Sequence, residues 1–273
     1  ISIYYLLNNA EELLMTFFFC AVFFSLIKIS ISRLRKSVSS DWADPLTFLK
    51  SRVWLPTLLI LFTLFPFILK NPPAALVQFF WLFMMLTATI IRWKDWPVAF
   101  RRMWYGVMAL FLLFSIDSFL AISTYTEKII IALLNLSAIV LGWYLYREAV
   151  KQKSRFHNLM DESIILFILF NVLALLLNLS GRLQLARILS NSGVMSITLL
   201  LSLQIIREIF MEFLYLQVEA YKDSRFSGFM DFNNMKQKLR KTLGVVTIVL
   251  WILALAWSMN FSDYIIESIT GFL

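Results

Sequence analysis

Residues 13–36 have the sequence LLMTFFFCAVFFSLIKISISRLRK, an apolar run that ends in a cluster of basic residues. The apolar part, residues 13–31, has the length that an α-helix needs to cross the hydrocarbon core of a bilayer. Arg33, Arg35 and Lys36 follow it, where basic side chains would meet lipid head groups. This pairing of an apolar span with a basic end recurs along the chain and decides the fold class.

Seven further apolar spans follow the first one. Sixty per cent of the 273 residues are apolar and 16% are aromatic, and the mean hydropathy is +0.77. Backbone groups in lipid must bond within their own segment, and the period-two alternation of an outer-membrane barrel is absent. We therefore predict an all-α fold, a polytopic transmembrane bundle of about eight helices that forms a single domain over residues 1–273. The predicted spans cover residues 13–31, 53–69, 75–91, 104–122, 129–146, 163–179, 193–216 and 243–259.

The basic residues are sorted between the loops. Nineteen of the 25 Lys and Arg residues lie in the loops after the odd-numbered spans. Cytoplasmic loops collect Lys and Arg, so this pattern places the odd loops in the cytoplasm and both chain ends on the outer, periplasmic side. We expect a multi-pass membrane protein. Because the chain starts at Ile1 with an acidic lead-in, we also expect further sequence before it.

The formal net charge of +8 does not indicate a nucleic-acid partner. The charge lies in short loops beside apolar spans, where helix orientation and anionic head groups of the inner leaflet explain it. Membrane lipids are therefore the expected partners. Helix orientation and an aromatic belt alone would also produce the pattern. The predicted lipid anchors are Arg33, Arg35, Lys36, Trp93, Trp96, Arg101, Arg102 and Trp104.

Ionisable residues inside spans are functional candidates because charge is costly in lipid. Asp117 lies in the outer half of span four, where it could serve a proton or cation carrier. Alternatively, nearby serines or a neighbouring helix satisfy it. Arg207, Glu208 and Glu212 lie in the inner part of span seven. They indicate either the polar end of a long helix or a contact that couples this helix to a moving neighbour.

The sequence contains no enzyme signature. GxSxG, HExxH and Walker motifs are absent, so we expect no catalytic activity and no cofactor. His157 has no ligating residue at metal spacing, so we expect no metal site. Cys20 lies mid-span as a small packing residue. No run of small residues marks a tight helix seam, which favours surfaces that face lipid.

The last third of the chain resembles a known family. The residues that carry the resemblance are FLYLQVEAYK at 213–222, KLRKTL at 238–243, VLWIL at 249–253 and NFSDYIIE at 260–267. Over residues 210–273 the chain is similar to the region upstream of the pore in large, multi-span members of the MscS-like mechanosensitive channel family, particularly those of Bacteroidetes. These members place peripheral helices before a pore-forming core.

The resemblance implies a peripheral, lipid-facing part of an ion channel that senses tension and releases ions and small solutes for osmotic protection. It also implies a ring of identical subunits that lies, as a multi-pass protein, in the bacterial inner (cytoplasmic) membrane. The Gly- and Ala-rich pore helix and the soluble β domain of that family are not present in residues 1–273, so no pore residue can be assigned.

Two other functions remain open. A secondary transporter would need an internal repeat and a polar site at the membrane midplane. A scaffold, or the membrane domain of a sensor, would need a soluble signalling domain at one end.

Overall fold

The computed structural model describes residues 5, 9–36, 46–49, 52–69, 72–120, 125–151, 158–220 and 232–258. Within this part the chain is all-helical, as predicted, and no residue of it lies in a strand. The helices are α1 (Ala10–Lys36), α2 (Trp54–Ile68), α3 (Ala74–Arg92), α4 (Val98–Leu120), α5 (Tyr125–Lys151), α6 (Asn158–Leu179), α7 (Leu183–Ala220) and α8 (Phe232–Ser258).

Seven of the helices in the described part are long and apolar enough to cross a membrane, and α2, with 15 residues, is shorter. Each predicted span overlaps one helix. α2 ends soon after Pro66, where the Leu69 N–H bonds to the Phe65 carbonyl and the chain turns to an extended conformation. Proline removes a backbone donor, which favours this early end.

The turn between α6 and α7 is shorter than the sequence pattern suggests. Gly181 adopts a φ of 82°, which glycine tolerates at little cost. The Arg182 N–H bonds to the Leu177 carbonyl at 2.9 Å and the Gly181 N–H to the Asn178 carbonyl at 3.1 Å, which is a Schellman cap. α7 therefore begins at Leu183 rather than near residue 193.

The chain divides into two compact units. The first comprises Ile1–Arg92 and Ser202–Thr247, and the second comprises Trp93–Leu201 and Ile248–Leu273. In the first unit α2 packs against α1 and α3, and in the second α5 packs against α4 and α6. α7 and α8 each contribute residues to both units.

Aromatic rings and Cys20 form a core in the first unit. Cys20, Leu61 and Phe65 are buried together with Phe80. The Phe65 and Phe80 rings stack at 4.8 Å, and Phe17 meets Phe65 edge-on at 5.4 Å. Cys20 thus packs as the small apolar residue that the sequence predicts.

Close helix packing occurs in the second unit, contrary to the expectation drawn from the few glycines. A Cβ built on Gly142 of α5 would lie 2.6 Å from Ile168 Cγ1 of α6. A Cβ built on Gly193 of α7 would lie 3.0 Å from Asn171 Nδ2 and 3.2 Å from Phe170 Cβ. The seam between α5 and α6 therefore has no room for a side chain at Gly142, and the seam between α6 and α7 is close at Gly193, which is the small-residue packing common in membrane bundles.

α7 is the most buried of the seven long apolar helices. In its most apolar window 78% of the residues are buried, against 17–50% for the other six. Those helices expose large apolar side chains, among them Phe17, Phe18, Leu133 and Ile252. Exposed apolar surface on this scale suits a lipid environment.

Candidate functional site

Arg187, near the start of α7, is the centre of a buried ionic cluster in the second unit. Its Nε lies 3.3 Å from Asp117 Oδ2 of α4, and its Nη2 pairs with Glu127 Oε1 in the first turn of α5. Each of the three residues is at most 8% exposed. One guanidinium therefore holds two carboxylates, and it joins α7 to α4 and α5.

This cluster defines the environment of Asp117. A neighbouring helix satisfies Asp117 through Arg187, whereas the Ser115 hydroxyl is buried and has no hydrogen-bond partner among the described residues. The side chain of Ser118 lies outside the described residues. A second carboxylate, that of Glu127, shares the same cation, a relation that the sequence pattern does not reveal.

Further polar contacts follow the same stretch of α7. The Ser190 hydroxyl donates to Asn135 Oδ1 of α5 at 2.6 Å. On α8, Trp251 Nε1 donates to the Ser196 carbonyl at 3.1 Å. Residues 183–201 of α7 thus contact α5 and α8 through hydrogen bonds and α6 through Gly193. Such bonds between membrane helices contribute about 0.6 kcal/mol on average.

In the first unit, the Glu212 carboxylate of α7 accepts hydrogen bonds from the backbone N–H groups of residues 47–49. Its Oε1 accepts the Thr47 N–H at 2.7 Å, and its Oε2 accepts the N–H groups of Phe48 and Leu49, each at 2.9 Å. Glu212, Phe48 and Leu49 are buried. We call residues 46–49 the docked segment, because one carboxylate fixes it to α7.

One turn earlier, Glu208 pairs with Arg92 at the end of α3. The Arg92 guanidinium lies 4.9 Å from the centre of the Phe48 ring, so the same cation also contacts the docked segment. Further along α7, Gln217 Nε2 donates to the Ser30 hydroxyl of α1 at 3.0 Å. Glu208 and Glu212 therefore both join α7 to neighbouring elements.

Arg207, beside Glu208 on α7, approaches α8. It is 6% exposed, and its Nη1 lies 3.7 Å from the position that a Cβ on Gly244 of α8 would occupy. Its side chain extends alongside α8, so the three charged residues of span seven contact different elements.

The predicted lipid anchors divide into two groups. Arg33, Arg35 and Arg102 are exposed, as an anchor requires. Arg101 lies 5.0 Å from the centre of the Trp93 ring, and Trp93 is 38% exposed. By contrast, two indoles are buried against Phe100, so they pack inside the second unit instead of lying at its surface. These are Trp96 and Trp104.

Some predicted features lie outside the described residues. They include the side chain of Lys36, the residue His157 and the segment Asn260–Glu267 that carries part of the family resemblance. Within the described residues, no group of three His, Cys, Asp or Glu side chains is placed to hold a metal ion.

The fold and these contacts define a class. Helices of this length and apolarity, with so much exposed apolar surface, are typical of a multi-pass α-helical membrane protein. Comparison with protein-family models, with characterised proteins and with solved structures gives no match.

Proposed function

We propose that this chain is the peripheral, tension-sensing membrane domain of a mechanosensitive ion channel of the MscS-like type. On this proposal it lies in the bacterial inner membrane with both ends outside, and identical subunits form a ring around a pore. The observation that carries the proposal is the contrast between a buried α7 and neighbouring helices that expose apolar side chains and are joined to it by polar contacts.

A tension sensor needs two kinds of surface. Some helices must present area to lipid, because tension favours the state that occupies more membrane area. Other helices must receive the force through contacts that persist while the membrane is under tension. The long apolar helices other than α7 present mainly apolar side chains. The Arg187 cluster, the Glu208–Arg92 pair and Glu212 join neighbouring elements to α7.

An apolar groove in the first unit supports the same function. It has a volume of about 400 Å³, and side chains of α1, α2 and α7 line it, among them Leu26, Leu64 and Phe210. Phe213 of α7 also lines the groove, and its ring lies 4.9 Å from that of Phe23 of α1. An acyl chain that enters or leaves such a groove would change the packing of α1 against α7, which is one route from lipid to helix.

The test is patch-clamp recording of the full-length protein in giant spheroplasts that lack their own mechanosensitive channels. We expect current steps that rise with suction. Arg92→Glu or Glu208→Arg should shift the activating tension, because each change opposes two like charges. The double exchange should bring the tension back toward its original value. Silence up to lytic tension, with expression confirmed, would reject the proposal.

One observation favours a second function, that of a secondary transporter. Asp117 and Glu127 are two buried carboxylates on one cation, and intramembrane ionisable groups mark proton and ion pathways. If the chain is a transporter, Asp117→Asn should abolish solute uptake in cells. If it belongs to a channel, the same variant should still carry suction-activated current.

A further inference from the structure

A second cavity in the first unit differs in chemistry from the apolar groove. It has a volume of about 410 Å³ and lies between the C-terminal half of α1 and the start of α2. Lys28, Arg35 and Arg52 line it, and none of the described residues that line it carries a negative charge. Three cations therefore surround one opening.

The geometry of α1 builds the basic wall. Phe24, Lys28, Ser32 and Arg35 are spaced by three and four residues, so they share one face of the helix. The Lys28 ammonium lies 4.8 Å from the centre of the Phe24 ring. Like charges around a shared cavity repel, most strongly beside a medium of low dielectric constant, so an anion placed among them is favoured.

The rest of the lining is largely apolar. Phe24, Ile31 and Val53 line the cavity, and Trp54, at its rim, is 52% exposed. Ile29, next to the basic face, is 54% exposed. A soluble anion would need only the cations, whereas a phospholipid would use both the cations and this apolar surround.

We propose that this cavity binds the head group of an anionic phospholipid. The lipid phosphate accepts hydrogen bonds from Lys28, Arg35 and Arg52, and the Ser32 hydroxyl is a further donor. The glycerol and the start of the acyl chains lie against Ile31 and Val53. Basic pockets between membrane helices on the cytoplasmic side bind such head groups, and the positive-inside pattern assigns loop one to that side.

This inference requires that α1 and α2 lie in a membrane, and it does not depend on channel activity. A silent channel would leave it standing, and loss of the lipid site would leave the proposed function standing.

The test is native mass spectrometry of the full-length protein in detergent, titrated with phosphatidylglycerol or with phosphatidylcholine. The pocket variant is Lys28→Gln with Arg52→Gln. The control is Lys94→Gln with Arg240→Gln, which removes the same two charges from exposed positions outside the cavity and outside the predicted lipid anchors. We expect the pocket variant to bind phosphatidylglycerol about 30-fold more weakly, since each basic residue near an anionic lipid contributes roughly a factor of five. The control should bind it nearly as tightly as the original protein.

A second measurement does not depend on removing charge. Brominated phosphatidylglycerol should quench part of the tryptophan fluorescence, and Trp54→Phe should remove that part. Quenching that is unchanged in Trp54→Phe would count against the site.

In the lipid titration, equal loss of affinity in the pocket variant and the control would overturn the proposal in favour of general attraction between the lipid and basic residues. Displacement of the lipid by millimolar inorganic phosphate would overturn it in favour of a soluble anion site.

Discussion

The contact between Glu212 and the docked segment can be tested with the substitution Glu212→Gln, which replaces one carboxylate oxygen with an amide NH2 group. The carboxylate accepts three backbone N–H groups at 2.7–2.9 Å. Glutamine keeps one oxygen, which can still accept the Thr47 N–H, and it turns an amide donor toward the N–H groups of Phe48 and Leu49. The Leu49 N–H would then be buried without an acceptor, since Leu49 is 0% exposed.

The magnitude follows from these contacts. A hydrogen bond to a charged group contributes about 1.5–3 kcal/mol, and a buried donor left without a partner costs about 1–3 kcal/mol. We expect the free energy that opens the docked segment to fall by about 2–4 kcal/mol. In hydrogen exchange, about 1.36 kcal/mol is a factor of ten, so amide protection should fall by roughly 30- to 1,000-fold.

The assay is hydrogen–deuterium exchange by mass spectrometry on peptides that contain residues 47–49, in lipid nanodiscs. Glu162→Gln is the control, because Glu162 is an exposed carboxylate on α6. We expect exchange at residues 47–49 to accelerate in Glu212→Gln and to stay unchanged in the control. Unchanged exchange in both variants would refute the reasoning, since it would mean that the segment does not depend on this carboxylate.

Three further predictions concern other residues. Arg187→Gln leaves two buried carboxylates without their cation, so it should lower the free energy of unfolding by about 3–5 kcal/mol in denaturant titrations. The control Arg182→Gln, at an exposed site, should change this free energy little. Similar losses in both variants would contradict the role of the cluster. Gly142→Ala should destabilise by about 1–3 kcal/mol through overpacking, while Gly244→Ala, with ordinary contact distances, should be neutral or stabilising in the same titrations. In a cysteine-free background, Arg182→Cys should react with a membrane-impermeant maleimide added outside the cell, and Lys94→Cys should not. The reverse result would mean that the predicted sidedness is wrong.

The helical class and the approximate spans can be predicted because hydrophobic length alone fixes them. The start of α7 cannot, because Arg187, Ser190 and Asn191 interrupt the apolar pattern and resemble a loop. Arg187 and Ser190 are tolerated within the helix because they donate hydrogen bonds to Asp117 and Asn135. A polar side chain inside a bundle can be assigned to a helix only when its hydrogen-bond partner is known. Here the partners lie far away in the sequence.

The docked segment is hard to predict for a different reason. Glu212 binds backbone N–H groups, which every residue except proline carries, so the side chains of residues 47–49 give no sign of the contact. The sequence does contain Glu208 and Glu212 one turn apart, in a part of span seven where charge is costly. That spacing predicts a shared face, and the structure supplies the two different partners.

The distribution of polar contacts along α7 has a physical consequence for any movement of this helix. Lipid tails are as apolar as leucine, so apolar contact alone gives a membrane helix little preference for one neighbour or one register. The register of α7 therefore rests on contacts that lipid cannot replace: the ion pair of Arg187, the carboxylate of Glu212 and the close approach at Gly193. If α7 moves relative to its neighbours, these contacts must break or exchange partners, whereas the apolar contacts can slide. Variants at these few positions should therefore change the equilibrium between states far more than changes of similar size among the exposed leucines and phenylalanines.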